Sequence, residues 1–324
     1  MNKLMLAGVL AAALVSGVVM AGAPAKPAAV SDCGLALPTG GQTFTVGTLH
    51  VIKYGDHGRP VILIPGLTSG PWEWARTIRD LRGNHVVYAV TLAGFDGVPM
   101  PKRKTHLLDQ ADASLLQLIQ SRHIDHPVLV GHSIGGTLAL RFAGEHNELL
   151  GGVVAVDGLP VFPGAQDLTP AQRKARAAML KARMGGMSPA EEAAYDVRYM
   201  QNIGVNDKVK AVCYAKLTAR SDPAASAEYA ADDYASDFRP GLKNVTVPVL
   251  EIVPYSKAMA AMMSKRSGKQ MTAAAKKAFY AGLLDNAKTA KVEMIQDARH
   301  FVMLDQPVAF KHALDGFLAQ LPQH

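Results

Sequence analysis

The sequence has few of the features that would place it in a specialised structural class. Of its 324 residues only two are cysteine and two are tryptophan, aromatic residues make up 6% and charged residues 19%. Two cysteines exclude a small disulfide-rich scaffold. The net charge of +7 is modest for this length, and no basic run is interleaved with aromatic residues, so we expect no nucleic-acid partner. A hydrophobic content of 49% indicates a globular protein with a large core.

Metal-binding and cofactor-binding motifs are also missing. The short pair His123 and His126 precedes a strand-like run, and the sequence contains no His-Glu-x-x-His motif. We therefore expect no metal ligand set and no cofactor.

The N-terminal residues differ in composition from the rest. Lys3 precedes an apolar run at residues 4–20, and small residues follow at 21–23. This order predicts a secretory signal peptide at residues 1–23, with cleavage at either Ala21 or Ala23. The apolar run is also just long enough for an uncleaved anchor, which is the alternative.

Export predicts a periplasmic or secreted protein with no stable membrane span once the signal is removed. Residues 24–41 are interpreted as a linker. Disulfides form in such compartments, so Cys33 and Cys213 could pair, but two separate buried thiols fit the sequence equally well.

Strand-like and helix-like runs alternate along most of the remaining chain. Residues 42–54 predict a hairpin that turns near Gly47. Continuous apolar runs predict strands buried on both faces. The predicted strands are residues 60–65, 85–92, 127–132, 152–157, 247–253 and 291–296, the first three of them buried; the predicted helices are residues 71–81, 105–120, 137–145, 272–286 and a last one ending near 321. This alternation predicts an α/β fold with a mostly parallel central sheet and helices on both faces.

The alternation stops between residues 158 and 239. Alanine, methionine and charged residues dominate here, and no strand-like run occurs. We interpret this stretch as a helical cap inserted into a core formed by residues 42–157 and 240–324. An ordinary run of outer helices is the alternative.

The most informative motif is Gly131-His132-Ser133-Ile134-Gly135, between a buried strand and a helix. In this strand–turn–helix context a Gly-x-Ser-x-Gly motif presents an exposed serine nucleophile. A serine hydroxyl needs a general base, and His300, which follows the last predicted strand, is the candidate.

These residues resemble the α/β-hydrolase superfamily, in its serine hydrolase, esterase/lipase-like form with a helical cap, over residues 42–321. The stretches that carry the resemblance are Ile64-Pro65-Gly66-Leu67, residues 131–136, Val156-Asp157-Gly158-Leu159-Pro160 and Arg299-His300-Phe301-Val302-Met303-Leu304. In similar enzymes two backbone N–H groups bind the oxyanion, and they correspond to Leu67 and Ile134 here. The family often has His-Gly where this chain has Pro65-Gly66, which keeps the main-chain donor.

The acid that would orient His300 is less clear from the sequence. Many relatives carry an aspartate in a Gly-x-x-Asp loop after the penultimate strand, and residues 253–259 have no carboxylate there. Other relatives, including haloalkane dehalogenases, place the acid one strand after the nucleophile, which corresponds to Asp157. We therefore expect Asp157 to be the acid, with Glu251 and Asp297 as the alternatives. Asp157 could instead serve as the N-cap of the helix or turn that leads into the inserted helical stretch.

Together these features predict a secreted or periplasmic serine hydrolase that cleaves a carboxylic ester, or a related acyl bond, through an acyl-enzyme on Ser133. Ser133 excludes the aspartate-nucleophile chemistry of epoxide hydrolases and haloalkane dehalogenases. Amidase, peptidase, lactonase and acyltransferase activities would use the same residues. A non-catalytic ligand-binding protein of this fold is the alternative from another class. The expected partner is a small-molecule acyl substrate, whose identity stays open, as does the oligomeric state.

Overall fold

One mixed sheet forms the centre of the protein. The computed structural model describes residues 33–267 and 270–322. Within these ranges the strands are β1 (Gln42–Val46), β2 (Leu49–Tyr54), β3 (Arg59–Ile64), β4 (His85–Thr91), β5 (Val128–His132), β6 (Gly152–Val156), β7 (Val249–Tyr255) and β8 (Ala290–Gln296). Their order is β1-β2-β4-β3-β5-β6-β7-β8. β1 and β2 form the predicted hairpin, β2 runs antiparallel to β4, and all the other neighbours are parallel.

The central strands are covered on both faces. Every side chain of β5 and β6 is buried. Along β3, Ile62 and Ile64 enter one apolar core, whereas Val61 and Leu63 enter another, because successive strand side chains point to opposite faces. Helices α2 (Leu107–Ser121) and α3 (Ile134–His146) cover the first core, and α1 (Ala75–Leu81) and α11 (Pro307–Gln320) cover the second. The predicted α/β class with a mostly parallel sheet is confirmed.

Four helices lie between β6 and β7, where the sequence showed no strand-like run. They are α4 (Pro170–Gly185), α5 (Pro189–Tyr199), α6 (Lys208–Thr218) and α7 (Pro223–Ala235). Each begins at a side-chain cap, with Thr169, Ser188, Asp207 and Asp222 accepting backbone N–H groups of the first turn. The division into a core and a cap at residues 158–239 stays a prediction.

Some helices differ from the expected bounds. A 3-10 turn at Pro71–Trp74 precedes α1. Helix α8 (Lys257–Ser267) was not expected, since the apolar residues of its sequence form one alanine and methionine run rather than a helical stripe. Helix α9 (Ala273–Leu283) was expected, and the short α10 (Val302–Asp305) stops before Pro307, where α11 begins.

The described residues begin just before the hairpin. Cys33 forms a disulfide with Cys213 on α6, so the pairing that the sequence left open is present. The predicted signal peptide and residues 24–32 of the predicted linker lie outside the described residues. Within residues 33–267 and 270–322, no helix combines the length and apolar character needed to cross a membrane.

Candidate active site

Ser133 occupies a sharp turn between β5 and α3. Its backbone has φ 53° and ψ −122°, a positive-φ conformation that is costly for a residue with a side chain. The flanking glycines permit this turn: a Cβ on Gly131 would lie 2.1 Å from the Gly135 carbonyl oxygen, and one on Gly135 would lie 2.4 Å from the Ile64 carbonyl oxygen. The Ser133 N–H donates to the Val156 carbonyl at 2.9 Å, which ties the turn to β6. The local geometry is therefore that of a nucleophile elbow.

Asp157 and His300 meet at the same edge of the sheet. Asp157 follows the last residue of β6, and His300 lies between β8 and α10. The two side chains approach at 2.5 Å, between Asp157 Oδ2 and His300 Nδ1. Ser133 and His300 line one cavity, to which Asp157 also contributes. The carboxyl ends of parallel strands thus gather three residues that are far apart in sequence, as expected for sites in open α/β sheets.

Two residues of α9 set the charge of Asp157. Tyr280 donates its hydroxyl proton to Asp157 Oδ1, and Lys276 Nζ lies 3.9 Å from the same oxygen. Burial by itself raises the pKa of Asp157, but Lys276, His300 and Tyr280 outweigh it and hold that pKa well below its usual range. Asp157 is therefore ionised at neutral pH. Lys276 and Tyr280 had no specific signal in the sequence beyond their i, i+4 spacing on one helix face.

The surroundings keep His300 uncharged at neutral pH. Burial, followed by the neighbouring His132, lowers the pKa of His300, and the hydrogen bond to Asp157 compensates only in part. Because Nδ1 faces a carboxylate acceptor, Nδ1 carries the hydrogen and Nε2 is left as the basic atom. This is the state that a general base requires.

The two alternative acids are placed differently. Glu251 lies within β7, opposite Ala155 of β6, with its side chain fully buried. Burial and the nearby Asp157 raise its pKa well above the usual value. The backbone carbonyl of Asp297 accepts hydrogen bonds from Asn206 and Gln306. In the described residues, neither the Glu251 nor the Asp297 carboxylate makes a hydrogen bond to His300. The geometry therefore favours Asp157 as the partner of His300.

Both residues expected to supply oxyanion donors border the cavity. Leu67 and Ile134 line it beside Ser133. Ile134 is the first residue of α3, so its N–H has no carbonyl partner within the helix and also lies at the positive end of the helix dipole. An oxyanion could be bound between these two amides.

A buried pair behind the cavity had no signal in the sequence analysis. Glu73, in the turn before α1, accepts a hydrogen bond from the Gly66 N–H at 3.0 Å through Oε1, and its Oε2 lies 3.2 Å from His132 Nδ1. His132 Nε2 lies 3.1 Å from the His300 carbonyl oxygen. The Glu73 and His132 side chains are 0% and 1% exposed, so these contacts are shielded from water.

The cavity has a volume of about 340 Å³. Its walls are mostly apolar and come from the loop after β6 and from helices α4, α5 and α7. The apolar lining includes Leu159, Val161, Phe162, Leu180, Met184, Met187, Ile203, Ala230 and Phe301. Trp72 and Trp74 are not among the lining residues; both are buried in the core, where Trp72 packs against Phe301 and Trp74 against Phe310.

One cluster in the described ranges has metal-ligand proximity. Donor atoms of Asp112, Glu145 and His146 lie within 4.8 Å of one another, away from the cavity. The Arg141 guanidinium already contacts this cluster, at 3.7 Å from Asp112 and 3.1 Å from Glu145. The Arg141 side chain therefore compensates the charge of these carboxylates, and we assign the cluster no function.

Comparison with known proteins gives a family match over most of the chain. Residues 61–313 match the sequence model of the alpha/beta hydrolase family. Epoxide hydrolase 3 from Xenopus tropicalis is 29% identical over 103 residues, 31% of this chain and 28% of that protein. The 1-acylglycerol-3-phosphate O-acyltransferase ABHD5 from Homo sapiens is 25% identical over 137 residues, 40% of this chain and 38% of that protein. These matches thus span well under half of the relatives' own lengths.

Solved structures match over a larger part of the chain. The enol-lactonase from Burkholderia xenovorans LB400 superposes with a TM-score of 0.64 at 20% identity, covering 86% of this chain and 100% of that one. An esterase from Exiguobacterium antarcticum superposes with a TM-score of 0.66 at 16% identity, covering 85% and 98%. At these identities the likeness concerns the fold alone.

Proposed function

The chain belongs to the alpha/beta hydrolase family, and we propose that it is a serine hydrolase that cleaves carboxylic esters through an acyl-enzyme on Ser133. The observation that carries this proposal is the 2.5 Å contact between Asp157 and His300 on the cavity that Ser133 lines. An ionised Asp157 and a neutral His300 are the charge states that serine acylation needs.

The reaction follows from these positions. Ser133 Oγ bonds to the substrate carbonyl carbon while its proton passes to His300 Nε2. The carbonyl oxygen becomes an oxyanion held by the N–H groups of Leu67 and Ile134. Collapse of this intermediate breaks the ester bond, and the departing alkoxide takes the proton from His300. A water molecule then attacks the acyl-enzyme by the same steps, which releases the acid and restores Ser133.

Asp157 has two tasks in this sequence. Its Oδ2 accepts the Nδ1 hydrogen of His300 and so leaves Nε2 free to take the serine proton. Its negative charge stabilises the imidazolium that forms once the proton arrives. Tyr280 and Lys276 hold the opposite oxygen and keep the carboxylate oriented.

The cavity supports a small, uncharged acyl substrate. A volume of about 340 Å³ is at the lower end of the range of ligand pockets, about 300–1,000 Å³. Glu192, Asp196 and Asp233 are on its walls, and no lysine or arginine is among its lining residues in the described chain. Burial, followed by the neighbouring Asp232, raises the pKa of Asp233 to about 7. An anionic substrate would be repelled here, so a neutral ester is the better fit.

We further propose that the protein is exported to the periplasm or the medium and acts there as a core with a helical cap at residues 158–239. The Cys33–Cys213 disulfide supports export, because disulfides persist in oxidising compartments. It links the segment before the hairpin to α6 of the proposed cap. The proposed partner is a small-molecule acyl substrate rather than a nucleic acid.

A fluorophosphonate probe tests the serine mechanism directly. The wild-type protein should be labelled and Ser133→Ala should not. p-Nitrophenyl esters should be hydrolysed faster than the matched anilides and than lactones of similar size, and a preference for either of those substrates would move the assignment to an amidase or a lactonase. Equal labelling of wild type and Ser133→Ala would contradict the assignment of the nucleophile.

A further inference from the structure

The Glu73–His132 pair connects three loops that take part in the proposed reaction. Glu73 holds Gly66, which precedes the Leu67 amide, and His132 directly precedes Ser133. His132 also contacts the backbone carbonyl of His300. The Glu73 carboxylate therefore contacts the loop that contains the Leu67 amide, which we call the oxyanion loop. Through His132 it is also linked to the turn at Ser133 and to the backbone of His300.

Proton counting fixes the total charge of this pair. The His300 carbonyl can only accept, so His132 Nε2 must carry a hydrogen. The Gly66 amide can only donate, so Glu73 Oε1 must accept. The remaining contact, between Glu73 Oε2 and His132 Nδ1, then needs one further proton. Whether that proton lies on the ring or on the carboxylate, the pair is neutral overall, as a buried pair must be.

Packing leaves the pair little freedom to move. A Cβ on Gly66 would lie 2.7 Å from His132 Nδ1, so the oxyanion loop runs directly against the imidazole ring. Trp74, nearly perpendicular to the imidazole, and Phe301 pack against the same ring, with centroids 6.5 Å and 4.6 Å away. A displacement of Glu73 or His132 would therefore shift the Leu67 amide relative to Ser133.

We propose that Glu73 and His132 form a positioning pair that holds the Leu67 amide and His300 in register with Ser133. This inference rests on the proposed ester hydrolysis and adds to it residues that touch no reacting atom. Oxyanion donors must lie about 2.7–3.1 Å from the developing charge, and a misplacement of about 1 Å can cost about 10²-fold in rate. The pair would thus act on the transition state more than on substrate binding.

The pair also acts on His300 electrostatically. The groups that face His300 or its partner Asp157 come from four elements: Asp157 after β6, His132 at the end of β5, Lys276 and Tyr280 on α9, and Tyr199 on α5. Burial is the largest cause of its lowered pKa, and His132 is the next. His132 is the closer member of the pair, with its ring centroid 4.5 Å from that of His300. When the shared proton lies on the His132 ring, its loss removes positive charge beside His300 and should raise the pKa of His300.

Two substitutions at Glu73 separate geometry from charge. In Glu73→Gln, the amide oxygen can still accept from Gly66 and the amide NH₂ can donate to His132 Nδ1, so the contacts survive but the shared proton is lost. In Glu73→Ala both contacts are lost. Asp112→Asn is the matched control, since it removes another buried carboxylate, on α2 and away from the cavity. Each variant is assayed for p-nitrophenyl ester hydrolysis across pH, and its thermal unfolding is recorded.

We expect kcat of Glu73→Ala to fall about 100-fold with KM within about threefold of wild type. Glu73→Gln should keep kcat within about tenfold, and the acid limb of its kcat/KM profile should move to higher pH. Asp112→Asn should match wild type in both measurements. A folded Glu73→Ala enzyme with wild-type kcat would overturn the proposal, and so would a Glu73→Gln enzyme, which keeps both contacts, with kcat more than about 100-fold below wild type. Absence of wild-type ester hydrolysis and of fluorophosphonate labelling would instead overturn the proposed function.

Discussion

Replacement of Asp157 by asparagine is the sharpest single test of the proposed site. Lys276 and Tyr280 both face Oδ1 of Asp157 and favour an oxygen at that position. The side-chain NH₂ of the Asp157→Asn variant would then face His300 Nδ1 and donate to it. His300 would carry its hydrogen on Nε2 and could not take the proton from Ser133.

The expected loss is large because the wrong tautomer blocks the first chemical step. A corresponding aspartate-to-asparagine change in a serine protease lowers kcat by about 10⁴, which corresponds to about 5 kcal/mol of transition-state stabilisation. We expect a comparable loss here, since the 2.5 Å contact is the one hydrogen bond that His300 Nδ1 makes in the described residues. KM should change far less than kcat, because the substrate carbonyl does not touch Asp157.

The assay is steady-state hydrolysis of a p-nitrophenyl ester with thermal unfolding measured in parallel. Asp297→Asn is the control, since Asp297 is close in sequence to His300 but holds its neighbours through its backbone carbonyl. A folded Asp157→Asn enzyme with activity within about tenfold of wild type would refute the reasoning. Loss of activity in Asp297→Asn at the same time would point to that residue instead.

The same site and the disulfide make three further predictions. Because burial and His132 lower the pKa of His300, wild-type kcat/KM should fall with decreasing pH at a midpoint below the ordinary histidine value of about 6.5; a midpoint above about 7 in a pH–rate profile would contradict this. Because burial and the nearby Asp157 raise the pKa of Glu251 well above its usual value, Glu251→Gln should retain wild-type kcat at neutral pH, and a loss above about tenfold would contradict this. Loss of the disulfide in Cys213→Ser should lower the free energy of unfolding by about 2–4 kcal/mol in chemical denaturation, and Cys33→Ser should lower it equally; unequal effects would show that one thiol has a separate role.

The fold could be predicted from the sequence because its signals are local. Apolar runs such as residues 128–132 and 152–156 can be buried on both faces only in a covered parallel sheet. The Ser133 turn could also be predicted, because such a turn requires glycine on both sides of the serine. The structure shows why: a Cβ on Gly131 would lie 2.1 Å from the Gly135 carbonyl oxygen, and one on Gly135 would lie 2.4 Å from that of Ile64. Helix α8 was missed because its alanines and methionines have no helical spacing.

Contacts across the chain were beyond the reach of sequence patterns. Asp157 and His300 are 143 positions apart, and Asp157 was the preferred choice among three carboxylates that only the distance to His300 could separate. The catalytic roles of Ser133, His300 and Asp157 stay predictions that the substitutions above test. In the sequence, Glu73 looks like an ordinary residue at a helix start. Nothing nearby indicates that its carboxylate contacts His132, 59 positions away.

The sequence by itself determined the alternation of strands and helices, apart from α8, and the turn that presents Ser133, because backbone sterics and hydrophobic periodicity act over a few residues. Only the tertiary structure decided which carboxylate meets His300, that Cys33 pairs with Cys213, and that Glu73 and His132 join the loops around Ser133. Each of these contacts depends on distances of about 3 Å or less between segments that the sheet brings together, and residue spacing along the chain does not encode such distances.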